Sequence, residues 1–99
     1  MRENNKLSKL DIEEIKKILS TWNPLGTRRK EIVDLNDYET EANDIAFHII
    51  TGIHFPFKRN PIERSQTIVR DVLNEAFDLS LSKEECKKPA IEIMEIISK

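Results

Sequence analysis

Apolar residues recur at helical spacing in four stretches of the chain, and each stretch is bounded by a proline, a glycine or a capping residue. This pattern restricts the fold strongly, because apolar stripes with a period of three or four residues are buried when helices pack together. Only two Gly and four Pro interrupt the 99 residues. We predict an all-α fold, a compact bundle of about four helices that forms a single domain over residues 1–99.

The first helix has a clear predicted start and end. Ser8 and Asp11 form a Ser-x-x-Asp capping signal, and the pair Asn23-Pro24 should end the helix because proline disfavours a helical residue before it. Trp22 and Tyr38 are predicted to pack in the core, with their polar atoms reaching partners near Asn23. The apolar stripe of this first helix consists of Ile12, Ile15, Ile18, Leu19 and Trp22.

The second helix is predicted to begin at Asn36 or Asp37 and to end at Gly52. Acidic residues in its first turn would complement the exposed backbone amides there. Before it, residues 27–36 have no clear period, and a short extended piece, a helical turn and a loop all remain open. After it, residues 53–57 are predicted to form a connection that folds two phenylalanines onto the core. The apolar stripe of this helix consists of Tyr38, Ala42, Ile45, Ala46 and Ile49.

The third helix is predicted to start with Asn60 as its cap and Pro61 at its first helical position, where a proline needs no hydrogen-bond partner. It should end near Ser80. Its predicted buried side consists of Ile62, Val69, Val72, Leu73, Ala76 and Phe77.

A second Ser-x-x-Glu signal, from Ser82 to Glu85, begins the last helical segment. Pro89 cannot donate to the carbonyl of Glu85, so the segment either kinks at Pro89 or restarts there. Its predicted inner face consists of Ala90, Ile93, Met94 and Ile97.

Two short motifs resemble a known family. Residues 22–26 read Trp-Asn-Pro-Leu-Gly, residues 37–41 read Asp-Tyr-Glu-x-Glu, and an Ile-rich helix and Cys86 with Ala90 and Ile93 follow. This set resembles the YugE-like family of small uncharacterised helical prokaryotic proteins. The family pattern has Asp at the position of the Asn in the first motif, and the loop between the two motifs is longer here. The resemblance implies a small helical fold and no established activity.

The residues that could carry chemistry do not form a site in the sequence. Asp44 and His48 lie one helical turn apart, but two ligands are too few for zinc, and we predict a hydrogen bond between them. Cys86 lies at an inner-face position, which favours a buried residue over a nucleophile. The bases at residues 28–30 are predicted to form a solvated loop, because nucleic-acid binding needs a broad positive footprint. We therefore predict no enzyme, no cofactor, no metal site and no nucleic-acid partner.

Charge is segregated along the chain. Residues 1–30 carry a net charge of +4, residues 31–50 carry −6, and residues 51–99 are balanced. One or two of the six carboxylates can stabilise the start of the second helix. The others repel one another, and such a surplus is tolerated only where it is well solvated or has a function. One interpretation is a solvated acidic face. The other is a face that attracts a basic protein and pairs with its Lys and Arg side chains.

We predict a non-enzymatic inhibitor, and we interpret the chain as an immunity protein that neutralises a cationic, nuclease-type bacterial toxin. Small acidic helical proteins of this length resemble immunity proteins as a class. The single cysteine and the absence of a long apolar run favour the cytoplasm and no membrane partner. The alternative is a small helical regulatory or housekeeping protein, with a homodimer as one form. The predicted partner-binding residues are Asp34, Asp37, Glu39, Glu41 and Asp44.

Overall fold

A computed structural model describes residues 8–53 and 61–98 of the chain. These two ranges contain helices and turns but no strand, so the prediction of an all-α bundle of about four helices is confirmed. The elements are α1 (Lys9–Trp22), a 3₁₀ segment (Gly26–Glu31), α2 (Glu39–Ile53), α3 (Pro61–Phe77) and α4 (Lys87–Ile97).

The four α-helices form a ring around one core. α1 packs against α2 and α4, and α3 packs against the same two helices. Each predicted stripe contributes to the core because every helix has two neighbours to cover it. Within the described ranges, no helix combines the length and the apolar character needed to cross a bilayer. The largest fully buried side chains include those of Ile15, Leu19, Tyr38, Ile45, Val69, Leu73 and Ile93.

Both ends of α1 lie where the sequence predicts them. The Ser8 hydroxyl accepts from the backbone N–H of Asp11 at 3.1 Å, and the Ser8 N–H donates to the Asp11 carboxylate at 3.3 Å. At the other end, Asn23 adopts a left-handed conformation with φ of 52° and donates its N–H to the carbonyl of Leu19. Local capping chemistry is therefore enough to place this helix.

The start of α2 differs from its prediction. The backbone of three successive residues, Asn36, Asp37 and Tyr38, is left-handed, with φ of 47°, 55° and 66°. α2 therefore begins at Glu39, two or three residues later than predicted. Asn and Asp tolerate this conformation, whereas a bulky Tyr adopts it rarely and at a cost of about 1–2 kcal/mol. Burial of the Tyr38 ring offsets that cost.

α2 continues to Ile53, one residue beyond the predicted end at Gly52. The predicted connection lies, from residue 54 onward, outside the described residues, as does the predicted cap Asn60. α3 begins at Pro61 as predicted but ends at Phe77, three residues before Ser80.

The turn after α3 is held by a side chain from that helix. The Asn74 amide donates to the Leu81 carbonyl at 3.2 Å, and its oxygen accepts from the Leu81 N–H at 2.8 Å. Ala76, predicted to be on the buried side of α3, is exposed, because the last turn of the helix presents Phe77 to the core instead.

α4 restarts rather than kinks near Pro89. The predicted Ser82–Glu85 signal is present, with the Glu85 N–H donating to the Ser82 hydroxyl at 3.1 Å and the Ser82 N–H donating to the Glu85 carboxylate at 2.8 Å. It forms a separate turn, and α4 begins at Lys87. Pro89 then lies in the first turn of α4, where its missing N–H removes no helical hydrogen bond.

Candidate partner-binding face

The five predicted partner-binding residues come from the turn before α2 and from the first half of α2. Asp34, Glu41 and Asp44 lie close enough for their charges to interact, and we call these three residues the acidic cluster. Asp37 and Glu39 have partners of their own within the chain.

Glu41 is the central member of the acidic cluster. Its residue is only 8% exposed, whereas Asp34 and Asp44 are both exposed. Burial raises the pKa of the Glu41 carboxyl, its own backbone N–H opposes this by donating to the carboxylate, and the negative charges of Asp44 and Asp34 raise the pKa further. Within residues 8–53 and 61–98, no Lys or Arg forms an ion pair with any of the three. The cluster therefore concentrates negative charge that no Lys or Arg in the described ranges neutralises.

Asp37 is directed toward α1 and away from a free acidic surface. Its carboxylate accepts from the Arg29 guanidinium at 2.9 Å and from the Ser20 hydroxyl at 3.2 Å. Glu39 is exposed and accepts a hydrogen bond from the Asn36 amide. Asp37 therefore already has a cationic partner within the chain, although its carboxylate stays largely exposed.

Two exposed apolar side chains lie next to the acidic cluster in the chain. Val33, which precedes Asp34, is 100% exposed, and Phe47 is 62% exposed. Phe47 follows Asp44 by three residues on α2, a spacing that places both on neighbouring parts of one helix surface. Sequence reasoning missed both residues. The signal for Phe47 was its position between the buried Ala46 and Ile49, outside the regular apolar stripe of α2.

The His48 ring packs edge-on against Phe47, with the ring centroids 5.6 Å apart. In the described part of the chain it forms no hydrogen bond with Asp44, contrary to the prediction for that pair. The described residues also contain no group of three or more His, Cys, Asp or Glu side chains arranged to hold a metal ion.

The basic run at residues 28–30 was predicted to be a solvated loop. Arg28 and Lys30 are indeed exposed, but the run is part of the 3₁₀ segment and not a loop. Arg28 donates to the backbone carbonyl of Phe77, the last residue of α3, at 3.1 Å. Arg29 donates to the carbonyl of Ser20, in the last turn of α1, at 3.4 Å. Neither helix has a basic residue of its own in its last turn. Two adjacent arginines therefore supply positive charge to the carboxyl ends of two helices.

Cys86 is fully buried at the start of α4. Burial raises the pKa of its thiol to about 11, and the neighbouring Glu85 carboxylate contributes to the increase. Since the thiolate is the reactive form, this environment suits a small packing residue and not a nucleophile. The prediction of a buried cysteine is confirmed.

Comparison of the chain with models of known protein families, with curated proteins and with solved structures gives no match. The resemblance to the YugE-like family therefore stays a prediction from the motifs of the sequence.

Glu41→Gln is expected to stabilise the fold at neutral pH by about 0.5–2 kcal/mol, the usual range for a stabilising substitution. Folding raises the pKa of Glu41 above its ordinary value of 4.5. The folded state therefore binds the proton of the Glu41 carboxyl group more tightly than the unfolded state does. The wild-type protein should therefore lose stability as the pH rises from about 4.5 through the raised pKa. The variant should not show this loss.

Urea denaturation at a series of pH values from about 4 to 8 measures this difference. The difference in the free energy of unfolding between the variant and the wild-type protein should grow as the pH rises through the pKa of Glu41. It should stay constant at higher pH. Glu39→Gln, at an exposed position in the same turn, is the control. A Glu41→Gln protein that is less stable than wild type at neutral pH would show that the carboxylate's bond to its own amide outweighs the cost of burial.

Proposed function

We propose that this chain is a non-enzymatic inhibitor that binds a cationic protein, and that it acts as an immunity protein against a nuclease-type toxin in the bacterial cytoplasm. The observation that supports the proposal is the acidic cluster, whose three carboxylates have no basic partner within the described residues. The exposed Phe47 beside it supplies the kind of aromatic anchor that protein interfaces favour.

Glu41 explains how such a face could bind tightly. An exposed carboxylate must lose its water when it pairs with a partner, and this cost cancels much of the attraction. Glu41 has already lost most of its contact with water on folding. An incoming ammonium or guanidinium group would therefore gain attraction from Glu41 with little further dehydration of that residue, while Asp34 and Asp44 add long-range attraction at the rim.

The proposed class of partner follows from the same charges. A nuclease binds a polyanion and therefore presents Lys and Arg side chains around its active site. A face with three carboxylates can occupy such a site in place of the substrate phosphates. The apolar side chains of Val33 and Phe47 would exclude water from around the charge pairs.

Charge reversal at two exposed positions tests this proposal. Asp34→Lys with Asp44→Lys is expected to weaken binding of the partner at least about 100-fold, because like charges facing one another cost several kcal/mol. The control is Glu75→Lys with Glu84→Lys, two exposed residues outside the cluster, which changes the net charge by the same amount. Asp37 and Glu41 are unsuitable, since their reversal would disturb an internal ion pair and a buried position.

The partner would be captured from the native host, identified by mass spectrometry and then titrated in purified form against the wild-type protein and both variants. We expect a basic protein whose nuclease activity the wild-type chain inhibits, and whose affinity falls as salt rises. Capture of no basic protein, or equal loss of affinity in both double variants, would overturn the proposal. A toxin gene directly upstream would support it independently.

The alternative is a regulatory or housekeeping homodimer, which would bury the open apolar groove between α1 and α4. Light scattering distinguishes the two, since a constitutive dimer that leaves the acidic cluster free would favour the alternative.

A further inference from the structure

An open groove of about 870 Å³ runs between α1 and α4. Its apolar lining includes Ile18 and Trp22 from α1 and Pro89 and Ile96 from α4. Ile18, Trp22 and Ile96 are only half-buried, although each packs on the core from outside. This side of the bundle therefore leaves apolar surface open to solvent between two helices.

The groove extends over about two turns of each helix that lines it. Its lining residues recur every three or four positions on both helices, from Glu14 to Trp22 on α1 and from Pro89 to Ile96 on α4. At 1.5 Å per residue these spans correspond to about 12 Å and about 10 Å, or about two helical turns. Two helices side by side present ridges with a trough between them, and a third helix packs into such a trough.

The rim of the groove is charged, and negative charge predominates. α4 contributes Glu92 and Glu95, which form no ion pair in the described part of the chain. Among the residues that the structure describes, the charged lining residues are Glu14, Lys17, Glu85, Lys88, Glu92 and Glu95, with a net charge of −2. A ligand that complements this rim carries positive charge on both sides of an apolar stripe.

We propose that this groove binds one amphipathic helix of a partner protein, with its apolar stripe on Trp22 and Ile96 and with Lys or Arg side chains beside Glu92 and Glu95. A second copy of this chain would bring the same negative rim against itself, so charge complementarity favours a basic helix as the occupant. The groove shares no residue with the acidic cluster, so this inference does not depend on the proposed function.

Trp22 is the only tryptophan of the chain, so its fluorescence reports directly on the groove. The probe is a tryptophan-free peptide of about 14 residues, about four helical turns, with leucines at helical spacing flanked by lysines. Two further peptides serve as controls, one with Glu in place of every Lys and one with the same composition in scrambled order. We expect a saturable change in Trp22 emission with the first peptide, and binding at least about tenfold weaker with each control.

Paired charge-reversal variants locate the binding. Glu92→Lys with Glu95→Lys is expected to weaken binding of the basic peptide at least about tenfold and to strengthen binding of the acidic one. Asp34→Lys with Asp44→Lys changes the net charge equally and should leave peptide binding unchanged. The first pair thus tests the groove and the second the acidic cluster, so failure of one proposal is distinguishable from failure of the other. Circular dichroism verifies that both variants are folded.

Three results would overturn the inference. The first is the absence of a saturable Trp22 signal with the basic amphipathic peptide. The second is equal binding of the scrambled peptide, or equal effects of the two double variants, which would indicate attraction by net charge alone. The third is a dimer in light scattering whose formation changes Trp22 emission without peptide, which would identify a second copy as the occupant.

Discussion

Tyr38→Ala is expected to lower the free energy of unfolding by about 3–5 kcal/mol, the range for removal of a buried aromatic side chain. Tyr38 has no solvent exposure, and its ring packs edge-on against Phe77 with the centroids 6.0 Å apart. A domain of this size has a total stability of about 5–15 kcal/mol, so this one truncation removes a large fraction of it. The midpoint of thermal unfolding should fall by more than about 12 °C.

The hydroxyl of Tyr38 makes a separate and smaller contribution to the free energy of unfolding. It donates to the Asn23 side-chain oxygen at 2.8 Å and accepts from the backbone N–H of Leu25 at 3.3 Å. Tyr38→Phe keeps the ring and leaves the Leu25 N–H without its partner, which should cost about 1–2 kcal/mol. The ring therefore accounts for most of the loss in Tyr38→Ala, and the hydroxyl for the remainder.

Thermal unfolding followed by circular dichroism measures both variants. Phe47→Ala removes an aromatic side chain of similar size from an exposed position and should change the stability by less than about 0.5 kcal/mol. If Tyr38→Ala and Phe47→Ala lower the midpoint equally, then Tyr38 does not occupy the centre of the core.

The helices were predictable from the sequence because their signals are local. The capping box at Ser8, the proline at position 61 and the Ser82–Glu85 turn each depend on atoms within a few residues of one another. The burial of Tyr38 was also predicted, from the apolar stripe, and so was the proximity of its hydroxyl to Asn23.

The path between α1 and α2 could not be predicted because distant residues determine it. Arg28 bonds to Phe77, 49 positions later in the chain, and no short sequence window contains both. The left-handed backbone of Tyr38 is unfavourable on its own and persists because the ring is buried by other elements. A local rule therefore places the start of α2 two or three residues too early.

Only part of the candidate partner-binding face could be predicted from the sequence. The surplus of acidic residues from 31 to 44 indicated a negative surface, and Asp34, Glu41 and Asp44 do form an acidic cluster. Counting charges along the chain could not show that Asp37 pairs with Arg29, eight positions earlier, because that pair depends on the left-handed turn. A count of charges also could not identify the exposed apolar residues Val33 and Phe47.

Arg29→Met is expected to lower the free energy of unfolding by about 1.5–3 kcal/mol. Besides the Ser20 carbonyl, the guanidinium donates to the Ser20 hydroxyl at 2.9 Å and to the Asn23 side chain at 3.4 Å, and it lies 5.6 Å from the centre of the Tyr38 ring. Met keeps the length of the side chain and removes every donor. The carboxyl end of α1 then loses the only positive charge that the described structure places on it.

Two further variants distinguish the hydrogen bonds of the Arg29 guanidinium from the effect of its positive charge. Lys30→Met removes one positive charge from an exposed position and should change the stability by less than about 0.5 kcal/mol. Arg29→Lys keeps the charge but cannot bond to several acceptors in the fixed geometry of a guanidinium, so it should recover only a minor part of the loss. Urea denaturation of the three variants gives these values, and a full recovery by Lys would show that charge alone is required.

Asp37 contributes least to the Arg29 network, because its carboxylate is largely exposed and water screens the ion pair. A double-mutant cycle of Arg29→Met and Asp37→Asn should therefore give a coupling energy of about 0.2–1 kcal/mol, well below the loss in Arg29→Met alone. The remainder of that loss belongs to the Ser20 and Asn23 acceptors and to the Tyr38 ring. A coupling energy equal to the whole loss would show that the ion pair, rather than the cap on α1, is what Arg29 contributes to the fold.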